Sequence, residues 1–508
     1  RLAGKSRREI YSARWGISRD CLKAEEEKMK KAIPCILLAA ICLNLFACGQ
    51  EIETTNETTV LGTDVQMTDE EKDYLKTLPM SEFPGETFRM LGVDYATRRN
   101  FPNEEENGDI VNDALFARDH LIADIYKVEI EYIPMSSANE VTSAVRQSVL
   151  ADDDEYDILI SDIESTMTAL MREKLLYDIN SLPTLDPGAP WWSADMAEET
   201  SVNGKLFITM GDISPMKYYA PYVMAFNKRL IDEYTDHDIY DLVVNGKWTN
   251  DVFYSIIKDA NRDLDGDGVI DKKDFHGYAH VDSAITALAH FTGAGQTLSD
   301  VGKDGTISVR LNTENAINLM EKIGKALRLS GGFDSSGGDQ NPTVTMFKEG
   351  RALFFGNSYS LIIATFRDMA DDFGVIPVPK GSEEQEDYHS YINTWCLGGV
   401  AFPSTIKNIK MIGLVSEAMG YLSYRDVRNA LYDTTMKVKI SRDDINAKIL
   451  DMIFDNTYID MNGLFNFGGS TTLVFNTISK GTEFSSAYAS REEMIAADIE
   501  KLRAISDD

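Results

Sequence analysis

Glu86-Thr-Phe-Arg-Met-Leu-Gly-Val93, Val128-Glu-Ile-Glu-Tyr-Ile133 and Tyr156-Asp-Ile-Leu-Ile160 decide the fold. The first two place apolar residues at every second position, the period of a strand with one covered face, and the third is apolar without a break, as a buried strand is. Between them the period changes. Asp109 to Tyr126 carries Val111, Leu115, Leu121, Ile122 and Ile125 at helical spacing, and Glu140 to Leu150 and Ser165 to Lys174 also read as helices. A β-α-β-α-β-α order implies an α/β fold, a parallel sheet with helices on both faces.

Working outward, the residues that follow resemble a known family. Tyr156 to Asp162 with Leu175-Leu-Tyr-Asp-Ile-Asn180 is similar to the third strand of the first lobe of the extracellular solute-binding proteins (family 1) of carbohydrate ABC transporters. Four further stretches agree in order: Gly204-Lys-Leu-Phe-Ile208, Tyr222-Val-Met-Ala-Phe-Asn-Lys228, Gly246-Lys-Trp-Thr249, and Met346 to Phe355 leading to Phe373 to Lys380. The resemblance spans nearly all of residues 83 to 508.

It implies a two-lobe periplasmic-binding-protein-like fold (type II), with hinge crossings and a ligand cleft. Lobe 1 would comprise 83–221 and 390–430, and lobe 2 would comprise 222–389 and 431–508. Tyr222 to Lys228 would carry the chain into the second lobe, Tyr391 to Phe402 would return it, and the segment after Arg425 would cross again. Closure of the lobes about the hinge would signal a loaded ligand to the permease subunits of an ABC importer. The implied protein is a monomer without catalytic residues.

Upstream, Met29-Lys30-Lys31 precedes an apolar run from Ala32 to Ala47, broken by Pro34 and Asn44, the pattern of a secretory signal peptide (29–47). Leu45-Phe-Ala-Cys48 resembles a bacterial lipobox, which marks Cys48 for lipidation and makes the chain a lipoprotein attached to the membrane without crossing it. Residues 48–82 read as a polar tether. Residues 1–28 are basic and patternless, and Glu25-Glu-Glu-Lys28 directly before Met29 is what a translated ribosome-binding site would give, so they read as a mis-called upstream extension.

Residues 1–47 carry ten Lys/Arg and five Asp/Glu, so the net charge of −32 becomes −37 without them. Such a body repels nucleic acid and anionic lipid. Of the cysteines, Cys48 and Cys396 alone follow the signal, and an acylated Cys48 leaves no disulfide.

Asp263-Leu-Asp-Gly-Asp-Gly-Val-Ile-Asp-Lys-Lys-Asp274 has the spacing of a twelve-residue calcium loop. Asp263, Asp265 and Asp267 fall at positions one, three and five, Gly268 at the turn, the Val269 carbonyl at seven, Ile270 at the apolar eighth, Asp271 at nine and Asp274 at twelve. Converging oxygen ligands suit a hard cation. Asp274 in place of Glu is similar to dockerin loops, yet a second loop is missing, so calcium here is expected to be structural. The other reading is a solvated acidic turn.

A sugar needs an aromatic face for its C–H groups and polar forks for its hydroxyls. Tyr359, in Gly356-Asn-Ser-Tyr-Ser360, stands where the resemblance places a stacking aromatic, with Asn357 as its hydrogen-bonding neighbour; a helix-start core residue is the alternative. Trp395 with Asn393 near the return crossing, and Tyr218 and Tyr219 before the first, are further candidates against simple packing. Asp94 and Asp162 end the first and third strands, where open α/β sheets bind ligands, or else cap helices. Trp191-Trp192 reads as exposed loop at the cleft mouth or a lobe cap, and Trp248 as core, with Thr249 opening a helix.

Enzyme readings find less support. His-Glu-x-x-His is absent, Gly4-Lys-Ser6 lacks the preceding Gly of a phosphate-cradling loop, Gly356 to Ser360 lacks the last Gly of a nucleophile elbow, and the six histidines show no metal spacing. Carboxylate pairs are too numerous to single one out. The expected function is carbohydrate capture for an importer; the alternative is a surface-anchored glycan-acting enzyme or a transporter-independent glycan-binding protein.

Overall fold

The computed structural model describes residues 74–94, 100–103, 105–302, 305–329, 331–334, 341–395, 398–435 and 444–505. The upstream extension, the signal, Cys48, Cys396 and the tether as far as residue 73 lie outside them. In chain order the strands are β1 (Thr87–Val93), β2 (Glu129–Met135), β3 (Ile158–Ser161), β4 (Thr209–Met210), β5 (Tyr222–Asn227), β6 (His276–Asp282) and β7 (Ser299–Val301). They continue with β8 (Ile307–Val309), β9 (Gly331–Asp334), β10 (Ala352–Ser358), β11 (Phe373–Ile376), β12 (Ser390–Tyr391), β13 (Gly399–Ala401) and β14 (Thr457–Tyr458).

The first sheet has the order β2-β1-β3-β13-β4. β1 runs parallel to β2 and β3, and β13 closes against β3 and β4 antiparallel. Alternation along the strands sorts the two cores. Leu91, Val93 and Leu159 pack with Val141, Val145 and Met167, while Phe88, Met90, Ile158 and Ile160 face Ile122, Ile412 and Val415. Helix Ile110–Tyr126 starts where the Asp109 side chain accepts from Asn112 N, and helix Ala138–Ala151 where Ser137 accepts from Glu140 N. Both end on a left-handed residue, Lys127 and Asp152, which turns the chain back into the next strand.

The second sheet has the order β11-β5-β10-β6-β9. Here β6 runs parallel to β9 and β10, and β5 antiparallel to β10 and β11. Every residue of β5 is buried. Trp248 is buried as expected, its indole donating to the Pro377 carbonyl at 3.0 Å, and Thr249 caps helix Asn250–Ile257.

Between the sheets the chain crosses repeatedly. β5 enters the second sheet directly after Pro221, which bridges Ile392, and β12 pairs parallel with β14. β13 then lies in the first sheet and helix Ile409–Leu422 packs in the core behind it. Helix Asp444–Asp455 contributes Ile449, Ile453 and Phe454 to the core of the second sheet. This is the expected two-lobe α/β architecture.

One expectation changes. The tether was to run to residue 82, but helix Tyr74–Thr77 and Leu78 already pack on the first lobe. The Tyr74 ring lies 4.5 Å from Trp191 and 5.2 Å from Tyr421, an aromatic cluster that polar tether composition alone does not announce.

Candidate functional site

The crossings bring strand ends of both sheets together. Asn393 N donates to the Ala220 carbonyl at 2.9 Å, Tyr359 N to that of Pro221 at 2.9 Å, and Ile392 N to that of Tyr458 at 3.0 Å. On the first-lobe side, Ile163 N and Glu164 N, just past β3, each reach the Thr394 carbonyl at 3.2 Å, and the Thr394 hydroxyl donates to the Glu164 carboxylate. The next residue, Trp395, is 59% exposed. Asn357 is half-buried at the end of β10, and Asn393 holds Trp395 N through its side-chain oxygen at 3.1 Å. Asn393 and Trp395 thus stand together at the crossing, and Asn357, whose side-chain oxygen accepts from Ser358 N at 2.8 Å, ends the neighbouring β10 two residues before Tyr359.

Other candidates are committed elsewhere. Tyr359 is 1% exposed, its ring edge-on to Phe454 at 5.5 Å; it packs as a core residue, the alternative to a stacking platform. Phe454 arrives from ninety-five residues downstream, which explains why local sequence favours an open face. Asp162 caps the π-helical turn Ile163–Met167: Oδ1 accepts from Ser165 N at 2.7 Å and Oδ2 from the Thr166 hydroxyl at 3.0 Å. Asp94 accepts from Asn100 N at 2.9 Å. Tyr219 is half-buried, and burial, with the charge of Asp109, pushes its hydroxyl up to about 12.

Tyr218 is buried; its hydroxyl donates to Asp212 and its ring meets Phe454 at 5.2 Å. With Trp192, Lys217, Arg428 and Asp455 it lines a cavity of about 190 Å³. Trp191 and Trp192 are buried rather than exposed at a cleft mouth, because both indoles donate to the buried Glu417, at 3.1 and 2.8 Å. Asp186 N and the Tyr74 hydroxyl complete that carboxylate's partners, at 3.2 and 2.8 Å.

A second cavity, of about 450 Å³, escaped sequence reasoning altogether. Arg172, on the helix that follows β3, faces Phe465, Phe467, Asp498, Lys501 and Leu502 across it. The local signal that could have found it is Phe465-Asn-Phe467, whose rings, two residues apart, stack at 6.1 Å and 11°.

In the acidic loop, oxygens of Asp263, Asp265 and Asp267 lie within 4.8 Å of one another, the only such group of three or more among the described residues. Asp263 accepts from Gly266 N at 2.6 Å and Gly268 N at 2.8 Å, and these glycines take φ of +77° and +84°. Asp271 and Asp274 stand outside that group. Both Asp274 oxygens accept backbone N–H, from Leu264 at 2.8 Å and Asp271 at 2.7 Å, which holds its carboxyl below the usual range. Val269 and Ile270 are exposed. Lys273 Nζ rests 3.1 Å from Asp265 and 3.9 Å from Asp271.

Among the described residues no helix is long and apolar enough to cross a membrane. A comparison with curated protein sequences gave no match. Solved structures do share the fold. Mycobacterium tuberculosis UspC is 14% identical, with a TM-score of 0.52 over 81% of this chain and 100% of its own. A cyclo/maltodextrin-binding protein complexed with maltotetraose is also 14% identical, with a TM-score of 0.50 over 84% of this chain and 98% of its own. The family model for bacterial extracellular solute-binding proteins matches residues 121–401, more than half of the chain, and the protein belongs to that family.

Proposed function

We propose that the protein captures a carbohydrate between its two lobes and delivers it unchanged to the permease subunits of an ABC importer. The observation that carries this is the family match over residues 121–401, on a chain whose sheets are joined at crossings flanked by Trp395, Asn393 and Asn357. The fold-mate that holds maltotetraose supports a sugar as cargo. Trp395 supplies the apolar face and the two asparagines the hydrogen-bonding forks. Lobes divided at 83–221 with 390–430, and at 222–389 with 431–508, would close by rotation about the crossings. Lipidation of Cys48 would keep the protein at the outer membrane face as a monomer.

The acidic loop fits calcium by the chemistry of its donors. Asp263, Asp265, Asp267, the Val269 carbonyl and Asp271 would hold the ion, which would displace Lys273 and neutralise the converging carboxylates, while Asp274 locks the loop ends. The ion's contribution is structural.

The test is the thermal midpoint of residues 50–508 with calcium against a panel of mono- and oligosaccharides. A ligand at about a hundred times its dissociation constant stabilises by roughly 2.7 kcal/mol. A shift with one sugar class establishes capture; silence across the panel overturns the sugar reading. Trp395→Ala should weaken a captured sugar about 2–10-fold with the fold intact, as expected of a lost aromatic contact. Unchanged affinity would move the site away from the crossing. Time-dependent cleavage of the sugar would replace capture with catalysis.

A further inference from the structure

The cavity beside Arg172 has a charge unlike that of the chain around it. In a protein of net charge −32, its wall carries two cations, Arg172 and Lys501, and one anion, Asp498. That anion is already engaged: Oδ2 accepts from Gly468 N at 3.0 Å, and Oδ1 faces Lys501 Nζ at 3.4 Å. Arg172 has no carboxylate within ion-pairing distance among the described residues. Its guanidinium lies over the Phe465 ring, 5.0 Å from the centroid, and one Nη donates to the Phe465 carbonyl at 3.2 Å. A guanidinium has five N–H donors in a planar fork; on this exposed side chain most of them face solvent, as does the 78%-exposed Lys501, at an open pocket that a guest can enter. Stacking on Phe465 fixes its plane without using that capacity.

The rest of the wall is apolar, from Phe467, Leu502 and Ile505. The volume of about 450 Å³ falls in the range of roughly 300–1,000 Å³ found for small-molecule sites. Arg172 comes from the helix after β3 in the first lobe and Phe465 from the C-terminal segment that packs with the second, so a guest here touches both. A neutral sugar would leave the arginine without a charged partner. A sugar bearing an acid would satisfy the fork with two parallel hydrogen bonds and lay its C–H face on the apolar wall.

We propose that this cavity binds an anionic sugar residue, a uronate or a sulfated sugar, with Arg172 as the residue that selects for its acid group. The inference rests on the carbohydrate reading above and narrows it to a substrate class. Arg172 acts by direct contact with the acid, and Lys501 adds attraction that salt will screen.

Isothermal titration of the calcium-loaded protein tests it with trigalacturonate, its methyl ester, a sulfated disaccharide and maltotriose. Binding of trigalacturonate or the sulfated disaccharide, and at least tenfold weaker binding of the ester, is expected; which of the two acids binds identifies the source. Arg172→Gln should weaken the anionic ligand about 10–100-fold, the range for hydrogen bonds to a charged group, and Arg172→Lys should restore part of the loss. The thermal midpoint of each variant without ligand checks its fold. Maltotriose binding with both anionic sugars silent overturns the proposal and leaves sugar capture standing. Anionic binding unmoved by a folded Arg172→Gln overturns the cavity assignment. No binding of any of the four, with a silent wider panel, overturns both readings.

Discussion

Two acid-rich regions of this molecule solve the same problem in opposite ways. Glu417 and Asp460 are fully buried, and each collects four donors, all of them from distant parts of the chain for Glu417, and two distant and two local for Asp460. Glu417 takes the Tyr74 hydroxyl, both indoles and Asp186 N; Asp460 takes Leu298 N, Ser299 N and Gly463 N at 2.7 to 2.9 Å, and the Tyr458 hydroxyl at 2.5 Å. Burial pushes both carboxyls up, and the hydrogen bonds pull against it without prevailing. The loop 263–274 keeps Asp263, Asp265 and Asp267 at the surface, with Asp274 buried at its base, and holds them with N–H groups two to ten residues away. Glu417 is thus a long-range clasp, Asp460 joins a distant segment to its own helix cap, and the exposed loop acids are a local scaffold whose outer oxygens remain for solvent or a cation.

The clasp should carry the larger energy. Glu417→Ala removes the acceptor from four donors in a sealed site, and a loss of about 3–5 kcal/mol is expected from the cost of breaking a buried polar cluster. Urea denaturation followed by tryptophan fluorescence measures it, since Trp191 and Trp192 report from the cluster itself alongside Trp248 and Trp395. A midpoint equal to that of the parent would show that the carboxylate does not hold the aromatic cluster. Removing residues up to 82 deletes the Tyr74 hydroxyl and Leu78 as well, and should cost about 1–3 kcal/mol by the same measurement.

This contrast also explains what could be read from the sequence. β1, β2, β3 and their helices follow from apolar periods of two and 3.6, and those periods are local. Trp248 with Thr249, and the spacing of Asp263, Asp265 and Asp267, are equally local. For Trp191, Trp192 and Tyr359 the local sequence leaves exposure and packing both open, because their burial is decided by Glu417 and Phe454, each contributed by a helix far along the chain. Asp162 had two readings, and the hydroxyl and amide of Ser165 three residues on, at 2.6 and 2.7 Å, make it a cap. The cavity at Arg172 had no local signature beyond Phe465 and Phe467, because its cation comes from nearly three hundred residues earlier.

Glu199 lies between the two extremes and should have an intermediate effect. It is half-buried on helix Ala194–Thr200, which packs against β7. Burial first, then the charges of Asp460 and Asp300 opposite and of Glu198 and Asp195 on its own helix, push it up to about 7. Arg310, paired with Asp300, is the cation on that side. A folded-state value above the ordinary 4.5 means the folded protein binds this proton more tightly than the unfolded chain. Stability should therefore rise as pH falls through about 7, with the gain complete near 4.5, by roughly 1–2 kcal/mol after solvent screening. Glu417 and Asp460 bias the profile in the same direction, so Glu199→Gln isolates its share: the variant should have a shallower slope between pH 8 and 5 than the parent. A parallel profile would show that the like charges across this contact are not felt.

The smallest effect belongs to the loop. Its base is closed without a metal, by the mutual hydrogen bonds of Arg262 and Phe275 at 3.0 and 3.1 Å and by the Asp274 clamp. Leu264, Val269 and Ile270 are exposed, so the loop buries little apolar surface against the lobe. Millimolar calcium on a site of the affinity usual for extracellular modules should add about 1 kcal/mol or less. Chelation should therefore lower the thermal midpoint slightly, and Asp265→Ala should abolish the response while costing little by itself. Magnesium at equal ionic strength is the control for charge screening of so acidic a chain. A chelation effect as large as that of Glu417→Ala would reverse the comparison, making the loop a staple of its lobe. A response that survives Asp265→Ala would put the cation elsewhere and return the loop to a solvated turn held by its own backbone.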